Sequence, residues 1–288
     1  MRIRLPLLVV LLAALLAAGC GGDDDDAATP EPAETGATDT TATDTAEELP
    51  EFSTVSEGVL TVGSDIPFPP FEYLEDGVET GFDVELVNEM ASRLDLETNW
   101  VDTPFDTIFT QLAGGRFDVV ASATTITEER EQAVNFTEPY YAAQQALTVN
   151  TEETPDIQAI EDLGSGHTVA VQSGTTGEVW ARENLPEGVE IRSFPDAPDT
   201  YTALEAGNVA GVIFDEPSAL AEVQERPALE VVVVIDTGER YGFPVDPNNE
   251  ELLDALNQVL QEMKDDGTYE RIYGEFDLSP GGNILEAD

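Results

Sequence analysis

Residues 82–94 place Val84, Val87, Met90, Ala91 and Leu94 at three-to-four spacing, which predicts a helix with one apolar face. Ahead of it, Val59-Leu60-Thr61-Val62-Gly63 predicts a short strand that ends in Ser64-Asp65, followed by a Pro-rich loop over 66–71. The alternation continues. Strands are expected at 98–101 and 117–121, around a helix over 105–112 that Gly114-Gly115 close. A further helix is expected over 127–134, with Glu128 and Glu129 in its first turn, where carboxylates suit the helix dipole. After Tyr140-Tyr141 the pattern restarts, with strands at 146–149, 167–171, 191–194, 211–214 and 229–235 and helices at 178–183 and 200–206. Helices over 251–265 and 269–274 close the chain. Such alternation implies an α/β fold of open, largely parallel sheets with helices on their faces. Ligands in these folds sit beyond the carboxyl ends of strands.

Those strand ends carry the informative residues. Asp65 follows one strand, residues 122–125 another, residues 172–177 a third and Phe214-Asp215 a fourth. Each alone reads equally well as turn chemistry or helix capping, which Ser, Thr, Asp and Gly supply routinely. Together with nearby Arg130 they make a polar pocket. The glycines of 172–177 do not form a phosphate loop, because no Lys follows them; the one Lys of the chain is Lys264.

Charge narrows the function further. The 288 residues include 11 Lys+Arg against 60 Asp+Glu, a formal net charge of −49. So acidic a surface repels phosphate backbones and offers few cations for counterion release, so no nucleic-acid partner is expected. A single Cys (Cys20) and a single His (His167) remove the raw material for structural zinc, internal disulfides and Ser-His or Cys-His catalysis. No cofactor or metal is expected. The 41% apolar content still suffices for a core, and the length allows one large or two medium domains.

The amino terminus reads as an address. Arg2 and Arg4 precede an apolar run over 5–18, shorter than a membrane span, which stops at small residues before Cys20. Leu16-Ala17-Ala18-Gly19-Cys20 resembles the bacterial lipobox, with Ala17 where that pattern prefers Leu. The resemblance implies a lipoprotein signal over 1–20, cut so that a lipidated Cys20 anchors the mature chain to a membrane by its acyl chains. Residues 21–51 then turn to Asp, Thr, Ala, Glu and Pro, including the block of aspartates 23–26, with little apolar surface to offset the entropy of ordering. They are expected to form a disordered acidic tether.

Gly81-Phe82-Asp83-Val84-Glu85-Leu86, continuing through Met90-Ala91 and Leu94, resembles the signature of solute-binding protein family 3, the polar amino-acid binding proteins of ABC importers. Similar stretches are Asp65-Ile66-Pro67-Phe68-Pro69-Pro70-Phe71, Thr125-Ile126-Thr127-Glu128-Glu129-Arg130, Phe136-Thr137-Glu138-Pro139-Tyr140-Tyr141, Val171-Gln172-Ser173-Gly174-Thr175-Thr176 and Asp266-Gly267-Thr268-Tyr269. The resemblance spans about residues 52–280. It implies a two-lobed periplasmic-binding-protein-like fold with a hinge of two crossing strands. Lobe I would be 52–139 with 243–288, the hinge 140–144 and 238–242, and lobe II 145–237.

The resemblance also implies roles. A free amino acid presents a carboxylate and an ammonium, and burying either unpaired is costly. Arg130, with Thr125 and the neighbouring backbone, would receive the carboxylate, and Thr176 at the start of a helix would add donors. Asp215 would take the ammonium, assisted by Ser122. Phe68 and Phe105 would wall the ligand side chain. Asp65 at the far end would accept from an amide or pair with a cation, and would repel a second carboxylate. Gln172, at a specificity position, leaves both glutamine-like and basic ligands open. The implied partners are a free amino acid, an ABC transporter permease and, through Cys20, a membrane, with the protein acting as a monomer outside the cytoplasm. Two other readings use the same fold: a periplasmic enzyme like cyclohexadienyl dehydratase, and a ligand-sensing domain for a signalling receptor. The acidity adds an expectation of its own, that the fold is stabilised by concentrated salt, where screening cancels self-repulsion.

Overall fold

The computed structural model describes residues 49–286. The expected signal sequence, Cys20 and the tether up to residue 48 therefore lie outside the described residues. The chain opens with β1 (Val59–Ser64), the hairpin strands β2 (Tyr73–Glu75) and β3 (Val78–Thr80), helix α1 (Phe82–Arg93), β4 (Glu97–Asp102), α2 (Phe105–Ala113), β5 (Val119–Val120) and β6 (Asn135–Phe136). It crosses along β7 (Tyr141–Asn150) to β8 (Thr168–Gln172), α3 (Thr176–Asn184), β9 (Glu190–Phe194), α4 (Ala197–Glu205), β10 (Gly211–Asp215) and α5 (Glu216–Glu225). It returns along β11 (Leu229–Tyr241) to β12 (Pro244–Val245), α6 (Glu250–Asp265) and α7 (Thr268–Tyr273).

Two five-stranded sheets result, ordered β4-β1-β5-β12-β6 and β11-β7-β10-β8-β9. This is the two-lobed α/β architecture expected. The sheets are less uniformly parallel than expected: β12 runs antiparallel to β5 and β6, and β7 antiparallel to β10 and β11. The cause is topological. A chain that crosses between sheets and comes back must return against the direction of the strands it left.

The helices bury the faces their periodicity indicates. On α1, Val84, Val87, Met90 and Ala91 are buried, and on α6 Leu252, Ala255, Leu256, Val259, Leu260 and Met263 join the same core. Each such side chain contributes roughly 1.5–3 kcal/mol when withdrawn from water. Gly81 permits the tight entry into α1: its φ is 129°, and a Cβ there would lie 2.1 Å from the Phe71 carbonyl oxygen.

β7 and β11 tie the two cores together. Tyr141 and Tyr241 face each other in register and stack at 5.4 Å, and Tyr140 stacks on Phe243 at 4.1 Å, all within the first sheet's core. Further along the same strands, Leu147 and Val149 lie in the core of the second sheet, with Val233 and Ile235 packed against it. Between these regions β11 bulges. Ile235 pairs with Gln145 and Glu239 with Ala143, so that residues 236–238 of β11 face residue 144 alone. Gly238, at φ 66°, makes this turn possible.

Local expectations fail at several places, among them the two-residue strands β6 and β12, too short to leave a pattern. The helix expected over 127–134 is a 3₁₀ turn at Arg130–Gln132, because the chain must enter β6 at Asn135 and has room for one turn only. The Thr127 hydroxyl starts that turn by accepting the Arg130 N–H at 3.2 Å. The β2–β3 hairpin, turned by Asp76 and Gly77 at positive φ, and helix α5, with Pro217 in its first turn, were not expected.

Candidate functional site

Strand ends converge on one cavity. β1 hands the chain to Asp65, β5 leads into residues 122–125, β8 ends in Gln172 just before α3, and β10 ends in Phe214 and Asp215. β1 is parallel to β5, and β8 to β10, so within each sheet these carboxyl ends point the same way. Asp65, Phe68, Phe105, Ser122, Thr125, Arg130, Gln172, Thr176 and Asp215 all line this cavity. Every pocket residue singled out from the sequence is thus brought together. Ala123, Gln145, Thr175 and Phe214 complete the lining.

The signature around α1 shapes the site from behind. Asp83 is fully buried, and its Oδ2 accepts the Ala123 N–H at 2.9 Å and the Tyr140 hydroxyl at 2.7 Å. Ala123 sits at φ 42°, a left-handed conformation that costs an ordinary residue about 1–2 kcal/mol. Asp83 holds it there and so sets the course of the 122–125 loop. Ser122 is oriented in turn. Its hydroxyl donates to buried Glu72 Oε1 at 2.8 Å and accepts the Asp65 N–H at 3.1 Å, so toward the cavity it can act only as an acceptor.

Arg130 and Asp215 are the charged ends of the cavity. Arg130 Nη1 donates to the Thr125 carbonyl at 2.7 Å and Nη2 to the Gly174 carbonyl at 3.1 Å, and the guanidinium lies over the rings of Phe105 (5.3 Å) and Phe109 (4.9 Å). Desolvation lowers its pKa to about 10, which leaves it charged at neutral pH. Among the described residues no carboxylate forms an ion pair with it. Asp215 stands at the N-cap of α5 without capping it. Its carboxylate instead accepts the Tyr241 hydroxyl at 2.5 Å and the Gln145 amide. Burial and then Glu239 push its pKa up to about 7, against the pull of Tyr241, Gln145 and Arg130.

At the other end, Asp65 Oδ2 accepts the Gln172 amide at 2.6 Å. Burial pushes this carboxyl up to about 6, with Asp102 and Asp196 adding to it and the Gln172 bond opposing. Phe68 meets Phe214 at 5.3 Å, forming an apolar wall with one ring beside each sheet. Glu239, Gln145 and Tyr241 were missed by sequence reasoning. They lie on the crossing strands, and no local motif marks them. Their placement changes the hydroxyl chemistry, because Thr125 Oγ1 and Thr176 Oγ1 both donate to Glu239 Oε2, at 2.6 and 2.8 Å. A hydroxyl has one proton to give.

Two sheets joined by a pair of long strands, with charged and aromatic side chains converging from the strand ends of both, define a two-lobed solute-binding protein. The chain belongs to the bacterial extracellular solute-binding proteins, family 3, whose model matches residues 60–277. A probable histidine-binding protein of Campylobacter jejuni is 31% identical over 221 residues, covering 76% of this chain and 85% of that one. Among solved structures, an ancestral arginine-binding protein bound to arginine is 37% identical with a TM-score of 0.72, covering 76% of this chain and 98% of its own. An ancestral amino acid-binding protein described as a precursor of cyclohexadienyl dehydratase is 36% identical with a TM-score of 0.70, covering 76% of this chain and 95% of its own.

Proposed function

We propose that this protein is the extracytoplasmic substrate-binding component of an ABC importer and captures a polar amino acid, basic or amide in its side chain, between its lobes. One observation carries the reading: a single cavity holds Arg130, bonded to carbonyls but to no acid, and Asp215, an acid bonded to neutral groups. Each lacks the opposite charge that a zwitterion supplies. The carboxylate would lie on the Arg130 guanidinium and the amides opening α3, the ammonium on Asp215 with Ser122 as a further acceptor. Phe68, Phe105 and Phe214 would flank the side chain, and Asp65 with Gln172 would read its end. The two opposite charges are removed from water together, so neither is left unpaired.

The hinge would lie at 140–144 and 238–242, where β7 and β11 leave the aromatic cluster of the first core. Lipidated Cys20 and the acidic tether would hold the monomeric binding domain near its permease. Histidine and arginine, named for two of the relatives, support a basic ligand, and the precursor protein, named only as amino acid-binding, supports the broader class. The relation to the dehydratase precursor keeps a second reading, turnover of a ring acid, within reach. Incubation with prephenate or arogenate tests it, and no turnover is expected. Isothermal titration with the twenty amino acids tests the main reading: a basic or amide amino acid should bind best, and Arg130→Ala should cost on the order of 3–5 kcal/mol of affinity. Tight binding of glutamate alone, or unchanged affinity in that variant, contradicts it.

A further inference from the structure

Just beyond the bulge at 236–238, β11 carries Glu239 to the edge of the cavity. Its Oε2 accepts from Thr125, which follows β5 of the first sheet, and from Thr176, which opens α3 of the second. Its Oε1 accepts the Gln145 amide at 3.2 Å, and the same amide nitrogen donates to Asp215. Two acids thus share one neutral donor. The bonds that hold Glu239 come from neutral groups, so they fix its position without cancelling its charge. Glu239 also borders the wider cavity outside the inner one, and Arg130 and Thr176 line both. The acid therefore stands on the path between solvent and the inner cavity.

Resting on the amino-acid reading above, we propose that Glu239 is a specificity-determining residue, the third carboxylate of a cleft that thereby selects a ligand of net positive charge over a neutral one of the same shape. The reasoning is a charge count. Along the inner cavity and at its edge, Asp65, Asp215 and Glu239 stand against the guanidinium of Arg130, so with all four groups ionised this part of the cleft is negative by two charges; in the outer cavity Arg182 is paired with Glu178, and Glu129 and Glu183 add to the negative side. The ammonium and carboxylate of any amino acid cancel each other and leave that imbalance standing. A cationic side chain is what reduces it. Inside a partly desolvated cleft this attraction is only weakly screened by salt, and it acts over the length of one amino acid. Asp65 reads the end of the side chain at contact, accepting from an amide or, more strongly, pairing with a cation. Glu239 adds a field that an amide cannot answer.

The probes are L-arginine and L-citrulline, which share a shape and differ in the charge of the terminal group. In titrations of the full binding domain, wild-type protein should favour arginine by at least about tenfold, the equivalent of 1.4 kcal/mol. Glu239→Gln keeps an acceptor for the threonines and removes the charge, so it should shrink the arginine-to-citrulline ratio by about tenfold, mostly by weakening arginine. Glu239→Ser removes the charge by another route and is read in the same way should the glutamine variant fold poorly. Thr176→Val removes a hydrogen bond and keeps the charge; it should weaken both ligands alike and leave the ratio standing. A ratio unchanged in the charge-removing variants, or changed as much by Thr176→Val, overturns the role of Glu239 and leaves the amino-acid reading intact. Wild-type protein that binds citrulline or other neutral amino acids but not arginine does the same. Absence of binding by any amino acid overturns both.

Discussion

Asp65, just past the end of β1, accepts a 2.6 Å hydrogen bond from the amide of Gln172, the last residue of β8, so one carboxylate–amide contact joins the two sheets at the floor of the cavity. A ligand side chain that ends between them must compete for both groups. Replacing the acid by its isostere keeps the contact geometry and removes the charge. Asp65→Asn should therefore weaken a basic amino acid by about tenfold or more, consistent with the loss of a charge-assisted hydrogen bond worth about 1.5–3 kcal/mol, and weaken an amide ligand far less. Titration calorimetry on the variant checks this, and equal losses for both ligands would contradict it.

The acids of the cleft give binding a pH dependence of definite sign. Burial holds Asp215 at about 7 and Asp65 at about 6, so each carries a proton over part of the mildly acidic range. An ammonium or guanidinium needs them ionised. Binding should release protons, and affinity should rise as pH increases from about 5 to about 8, by up to tenfold per unit for each group still protonated. Titration in buffers of different ionisation enthalpy measures the protons directly. Uptake of protons, or a flat profile, would be the wrong sign.

Stability should run the opposite way. Glu72 and Asp83 are fully buried, and Glu72 Oε2 and Asp83 Oδ1 have no hydrogen-bond partner. Burial, with Asp83 beside it, raises Glu72 well above the usual carboxylate range, and burial raises Asp83 to about 7. A carboxyl raised in the fold contributes stability that is complete below its unfolded value near about 4 and lost as pH rises through its folded value. Asp65 and Asp215 add in the same direction. Tm should therefore fall by several degrees between about pH 5 and about pH 8. Asp83→Asn, whose amide oxygen can still hold the Ala123 N–H, should flatten that slope.

With 60 acidic residues against 11 Lys+Arg, most surface carboxylates have no cation to pair with. Their mutual repulsion is screened by salt. Tm should rise between dilute buffer and molar sodium chloride, as differential scanning calorimetry would show. A constant or falling Tm would contradict this.

Much of this molecule is legible in its sequence, for reasons that also explain the gaps. Asp65, Ser122, Gln172 and Asp215 were recognisable because each follows a short apolar run, and an α/β sheet puts such positions at one edge. Arg130 was recognisable within a motif although its local structure was misread: helix signals at Glu128 and Glu129 are local, while the demand that Asn135 begin β6 is set by the sheet. Glu239 and Gln145 were hidden for the same reason. Their meeting depends on the register of β7 against β11 and on the bulge at 236–238, and neither leaves a local pattern beyond Gly238. The β2–β3 hairpin did carry a turn signal in Asp76-Gly77, but its three-residue strands are too short for alternation to register. Asp83 stands in the sequence only as a position of the signature, and its bond to Ala123 shows why an acid belongs there.

The most direct measurement of the central claim is a crystal structure of the protein with the amino acid that binds it most tightly. The account expects the ligand carboxylate within hydrogen-bond distance of the Arg130 guanidinium, its ammonium on Asp215, and its side chain running between Phe68 and Phe105 toward Asp65. A ligand seated elsewhere, with Arg130 and Asp215 both turned to solvent, would contradict it.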